Sequence, residues 1–305
     1  MRINANTYFK LCTIIIYKIF KTLYKMEEKQ IVLKKVDVNA LKELLNRGLI
    51  VNTVLDFMLS SEIIKSNVEN DANTFWKEWE TSTDKIFESE KFEPIEILIY
   101  NGKFFVDKIL SYFSKAIETT ITIFLNKDNE PTKLNLNDNQ GLSINMPVTR
   151  LSLANEKLSE EEHGILFGTE NALASFDLPY ETLSKINALK SLSYTSADVP
   201  AVHITFKAGD GVIRVFDGTF DLVICKDYTG AEFEVKIDKR LLSLNNSEDH
   251  TVYLCPTEYN EQEFDRFVFI SKHSSIKSAD VAILMKDMDT LATADDSDGS
   301  ESWNW

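Results

Sequence analysis

Hydrophobic positions in this chain switch between two periods, and the switches divide it into a few short helices and many strands. Val38, Leu41, Leu44 and Leu45 recur at three- and four-residue steps, so VDVNALKELLNR (36–47) predicts an amphipathic helix, with Gly48 as its C-terminal cap. A second helix is predicted over NGKFFVDKILSYFSKA (101–116), where Phe105, Val106, Ile109, Leu110 and Phe113 form the buried stripe. LPYETLSKINALKSL (178–192) and KIDKRLLSLNN (236–246) predict a third and a fourth. Between them the period falls to two. Residues 29–36, 49–70, 75–87 and 95–100 read as strands, as do TTITIFLNK (119–127), TKLNLND (132–138) and GLSINMPV (141–148). In the second half, AVHITFKAGDGVIRVF (201–216) predicts a hairpin turning at Gly-Asp-Gly, and DLVICKD, AEFEVKI, TVYLCP, EFDRFVFISKH and SADVAILMKD predict further strands.

Each half thus alternates helix, strands, helix, strands, an architectural repeat with little sequence identity behind it. The stretch between the halves, ANEKLSEEEHGILFGTENA (154–172), breaks both periods and contains three consecutive glutamates, which marks it as a connector. The expected organisation is an N-terminal extension (1–28), a first domain (29–153), an acidic connector (154–172), a second domain (173–288) and an acidic tail (289–305). Within the extension, LCTIIIYKIF (11–20) is apolar but short, is flanked and interrupted by lysines, and lacks a small-residue cleavage site. It reads as a segment outside the fold rather than a membrane anchor. The tail is mostly polar and acidic and ends in Trp303 and Trp305, which read either as aromatic anchors of the type that dock in a partner's apolar pocket or as part of an unstructured end with no partner.

Charge sharpens the picture. The whole chain carries a net charge of −15, yet the four helix segments together hold ten Lys and Arg against five Asp and Glu, so everything outside them carries −20. Cations kept on a few helices of an acidic protein predict one face that meets a polyanion and another that repels it. Three cysteines, none in a metal-type spacing, point to a reduced compartment and no structural zinc.

Catalytic patterns are missing from the sequence. His163, His203, His250 and His273 stand singly, and no H-E-x-x-H, G-x-S-x-G, Walker-type or G-x-G-x-x-G arrangement occurs. Gly209 and Gly211 are explained by the hairpin, and Glu160–Glu162 by a solvated connector. The reading is of a protein that binds, with no cofactor and no metal.

This order of elements resembles the DNA polymerase sliding clamp family, in particular the clamps of tailed bacteriophages. The likeness covers about residues 29–288 and is most marked in the second half, where ASFDLP, LSKINAL, FKAGDGVIRVFD and FEVKIDKRLLSL follow one another. It implies an α+β clamp fold of two similar domains, each with two short helices packed on antiparallel sheets. It further implies a cytoplasmic homotrimeric ring, in the host cell if viral, that encircles double-stranded DNA without sequence specificity. Such a ring tethers a DNA polymerase, is opened by a clamp loader and is no enzyme. On this chain the residues expected to face phosphates are Lys42, Arg47, Lys103, Lys108, Lys115, Lys185, Lys190, Lys239 and Arg240. Lys108, Lys115, Lys239 and Arg240 project farthest from the apolar stripes. Ile165, Leu166 and Phe167, apolar residues after the connector glutamates, are expected either to border the docking site for partners, together with the tail tryptophans, or to pin the connector to the core. The rival reading is a β-rich phage virion or assembly protein whose lysines merely face water.

Overall fold

A computed structural model describes residues 29–153, 157–190, 203–245, 248–259 and 262–285. The N-terminal extension and the tail with Trp303 and Trp305 lie outside the described residues. The chain forms two compact units. One contains residues 29–43, 54–64 and 82–153, and the other 44–53, 65–81 and 157–285.

In the first unit, β1 (Lys29–Leu33), β6 (Thr119–Leu125), β7 (Pro131–Asp138) and β8 (Ser143–Pro147) make an antiparallel sheet in the order β1-β6-β7-β8. Its centre follows from strict alternation: in TTITIFL every second residue of β6 is buried, so Ile121, Ile123 and Leu125 all reach the core. A second group pairs β2 (Leu55–Leu59) with β5 (Ile95–Ile99), and Ser60 closes the tight turn from β2 into β3 (Ile63–Glu69). The helix α1 (Val38–Leu49) starts where the Asp37 carboxylate accepts hydrogen bonds from the Asn39 and Ala40 amides, each at 3.0 Å. The helix α2 (102–113) is capped in the same way, the Asn101 side chain accepting from the Phe104 amide at 3.0 Å. Its middle, Phe105–Leu110, is π-helical, a wider winding than that of the flanking turns.

In the second unit β3 turns into β4 (Phe75–Ser82), and β4 lies in the order β4-β16-β15-β14-β9 with β16 (Lys277–Ile283), β15 (Gln262–Ser271), β14 (His250–Tyr259) and β9 (Ala174–Leu178). A separate sheet has the order β12-β11-β10-β13, built from β10 (His203–Gly209), β11 (Val212–Phe216), β12 (Asp221–Lys226) and β13 (Phe233–Asp238). The β10–β11 hairpin turns through Asp210 and Gly211, both at positive φ (52° and 75°), the conformation for which Gly-containing two-residue turns are selected. The core includes Phe176, Phe206 and Phe267, with the Phe206 and Phe267 rings edge to face at 5.2 Å. The helix α4 (Tyr180–Leu189) contributes Leu183 and Ile186 to it.

The repeat expected from the sequence is present as topology. The order β1-β6-β7-β8 recurs as β9-β14-β15-β16, and the run β5-β2-β3-β4 as β13-β10-β11-β12. Two elements differ from expectation. The connector contains a real helix, α3 (Glu160–Phe167), because Ser159 and Glu162 form a reciprocal capping box and Glu160–Glu162 suit the positive end of the helix. The fourth helix is reduced to a 3₁₀ turn, Leu241–Leu244. There β13 runs on to Asp238, whose carboxylate accepts from the Arg240 amide at 2.8 Å, and Asn245 is already extended. Too few residues remain between them for an α-helix to nucleate.

Candidate nucleic-acid interface

The cations expected to face phosphates separate into three groups. Lys103, Lys108, Lys115 and Lys185 are exposed on α2, at its end and on α4, with no ion pair among the described residues. Their ammonium groups are free to meet a polyanion. Lys42 is half-buried, and its Nζ donates to Ser111 Oγ at 2.8 Å, which ties α1 to α2 within the first unit.

The second group is turned toward its own backbone. Lys190 Nζ donates to the Lys239 carbonyl at 3.2 Å while Lys239 Nζ donates to the Lys190 carbonyl at 3.4 Å. The exchange holds two cations side by side between the end of α4 and the end of β13. Burial, and after it the Lys239 charge, push the Lys190 ammonium below its ordinary pKa. An anion at this point would offset the repulsion between the two charges. Arg240 is exposed, but its Nε lies 3.0 and 2.9 Å from the two Asp238 carboxylate oxygens. Burial alone would raise the Asp238 carboxyl, yet its bonds to Arg240 hold it below the usual range. Arg240 is therefore half of a neutral pair rather than a free charge.

Arg47 is a correction. Its side chain is only 4% exposed and grips Glu248 with two parallel bonds, Nη1 to Oε1 at 2.8 Å and Nη2 to Oε2 at 3.0 Å. Burial would raise the Glu248 carboxyl, but the bonds and charge of Arg47 outweigh it and hold the pKa down. Beside this pair lies a second, Lys77 with Asp280, at 2.7 Å and with both side chains buried. Desolvation lowers the Lys77 pKa and raises that of Asp280. His250, 1% exposed, is likewise pushed down by burial. Arg47 thus belongs to a buried charge network inside the second unit. Its position at the end of an amphipathic helix hid that, because the partner Glu248 is 201 residues away.

The expected docking residues are corrected as well. Leu166 and Phe167 are buried, packing with Trp76, Cys255, Val268 and Val281, and Ile165 is only partly exposed. Arg266, itself buried, donates from Nε to the Leu166 carbonyl and from Nη2 to the Gly168 carbonyl, both at 2.7 Å. Those are the open carbonyls at the end of α3, so the arginine serves as its C-terminal cap. Apolar residues in a polar stretch here anchor a helix and leave little surface for a partner.

The aromatic residues of α2 were not singled out by the sequence. Phe104 and Tyr112 are 49% and 69% exposed, and they alternate with Lys108 and Lys115 on the outer side. The available signal was a polar-and-aromatic repeat of four residues opposite the buried stripe. Among the described residues no group of three or more His, Cys, Asp or Glu is placed to hold a metal ion, and no helix is long and apolar enough to cross a membrane.

The sequence matches no family model and no curated protein. Solved structures do match. The proliferating cell nuclear antigen of Entamoeba histolytica aligns with 84% of this chain and 99% of its own at a TM-score of 0.60 and 10% identity. The fold is that of the sliding clamps. The A. fulgidus antigen, solved with the C-terminal region of FEN-1 bound, gives 0.59 at 12% identity over 84% and 99%. The β subunit of DNA polymerase III from Borrelia burgdorferi gives 0.56 at 11% identity, over 86% of this chain and 67% of its own. A sliding-clamp fold accounts for the duplicated strand order, with α1 and α2 in one repeat and α4 and the 3₁₀ turn in the other.

Proposed function

We propose that this chain is a non-enzymatic processivity factor: a homotrimeric ring that encloses duplex DNA, is placed there by a clamp loader and tethers a DNA polymerase. The observation that carries the reading is the match of 84% of the chain to 99% of a clamp chain. The matched region spans 99% of that protein and only 67% of the bacterial subunit, so it has the length of the shorter clamp type. The division into clamp domains at 29–153 and 173–288, and the phage-type assignment, belong to the same proposal.

Two features of the chain support it. Among the described residues the strands β8 and β12 each pair on one side only, β8 with β7 and β12 with β11, so each offers a row of backbone groups to a strand of another copy. A ring closes when the same β8-to-β12 contact repeats around a threefold axis. The free ammonium groups of Lys103, Lys108, Lys115 and Lys185, with the Lys190 and Lys239 pair, supply contacts to phosphate that read no sequence and allow sliding. Partner proteins fit the same reading, since the A. fulgidus antigen carries a FEN-1 peptide. The test is the mass in solution by light scattering. Three chains are expected, and a monomer at working concentration contradicts the ring.

A further inference from the structure

The outer face of α2 combines two kinds of side chain that duplex binding does not need together. Solvent-facing residues recur every four positions, Lys103 and Phe104, Asp107 and Lys108, half-buried Ser111 and exposed Tyr112, then Lys115 after half-buried Ser114, while Phe105, Val106, Ile109, Leu110 and Phe113 are buried between them. The repeat is four residues. An ordinary helix with 3.6 residues per turn would drift off such a repeat, but the π-helical stretch Phe105–Leu110 holds more residues per turn. Phe104, Lys108 and Tyr112 therefore stay in one column. Neither aromatic ring has a stacking partner among the described residues, and neither Lys103, Lys108 nor Lys115 has an ion pair there. Asp107 is the only acid on the face, so three cations outnumber it.

Paired bases hide their faces in the stack, so a duplex offers a protein phosphates and groove edges. Unpaired bases expose a π-face, and aromatic side chains beside lysines are the means by which proteins hold single strands without reading sequence. We infer that the Phe104–Lys108–Tyr112–Lys115 column binds single-stranded nucleic acid, the rings stacking on bases and the ammonium groups meeting the phosphates. The inference rests on the clamp reading only for the source of the strand, which would be unpaired template beside a primer end. A wider winding in the middle of a helix, where functional sites are often found, fits a face built for this purpose.

The test is fluorescence anisotropy of the full-length protein with a labelled oligothymidylate and with a labelled duplex, each over a salt series. The F104A/Y112A double variant is expected to weaken oligothymidylate binding about tenfold or more and to leave duplex binding unchanged. Y112F is expected to bind as wild type, because the ring is kept. K108A/K115A is expected to weaken both ligands and to reduce the single-strand salt slope by about 1.4. Circular dichroism melting checks that the variants, all at exposed positions, fold as wild type. Unchanged oligothymidylate affinity in F104A/Y112A overturns the inference, as does an equal loss on duplex or no binding of the single strand by wild type. These outcomes are independent of ring formation, which is read from the mass in solution.

Discussion

At the scale of single residues, burial separates the cations that hold the fold from those that can hold a ligand. Arg47 and Lys108 both sit on amphipathic helices, and in sequence they look alike. One is buried against Glu248 and the other is open to water. Removing one partner of a buried ion pair leaves the other desolvated and uncompensated, whereas an exposed lysine contributes little to stability. R47A is therefore expected to lower the unfolding free energy by about 3–5 kcal/mol in urea titrations, while K108A/K115A stays within about 0.5 kcal/mol of wild type. An R47A protein as stable as wild type would refute the buried network. The sequence could separate these residues only in part. Lys108 lies opposite a stripe that helical spacing reveals, but Arg47 depends on a partner brought close by the folding of β14 and its preceding loop.

At the scale of elements, local signals were readable and cooperative ones were not. The β10–β11 hairpin is written into Gly-Asp-Gly, and β6 into the alternation of TTITIFL. The helix α3 was missed because its hydrophobic residues form no stripe, and its stability comes from the Ser159–Glu162 capping box and from Arg266, about 100 residues distant. The fourth helix shrinks to a 3₁₀ turn because KIDKRLLSLNN has helical spacing but loses its first residues to β13 and the Asp238 turn. Edge strands carry the assembly prediction. The Val148 amide donates to the Thr132 carbonyl of β7, so alternation turns the Asn145 amide toward the open edge of β8. Pro147 occupies a position of the same parity, where a missing N–H costs the β7 ladder nothing. The substitution N145P is expected to remove a donor from the subunit contact while sparing that ladder. Light scattering should then report single chains with an unchanged circular dichroism spectrum, and a persistent trimer would exclude β8 as the joining edge.

At the scale of the whole molecule, the proposed function gives the acidic total and the local cations one explanation. A ring that holds DNA by enclosure needs weak, sliding contacts on its inner elements and a repulsive remainder that prevents adhesion elsewhere. The clamp fold was legible in the order of helices and strands, because the repeat survives as topology where sequence identity does not. The proposed interface was legible only as a list of cations, from which the structure removes Arg47, pairs Arg240 with Asp238 and sets Lys190 beside Lys239. Enclosure itself is tested most directly by retention. With a clamp loader and ATP, the protein is loaded on nicked circular DNA and passed over a sizing column in high salt, before and after the circle is cut. The account predicts that the protein elutes with the closed circle and is lost once the DNA is linear. Equal retention on both forms, or on neither, contradicts it.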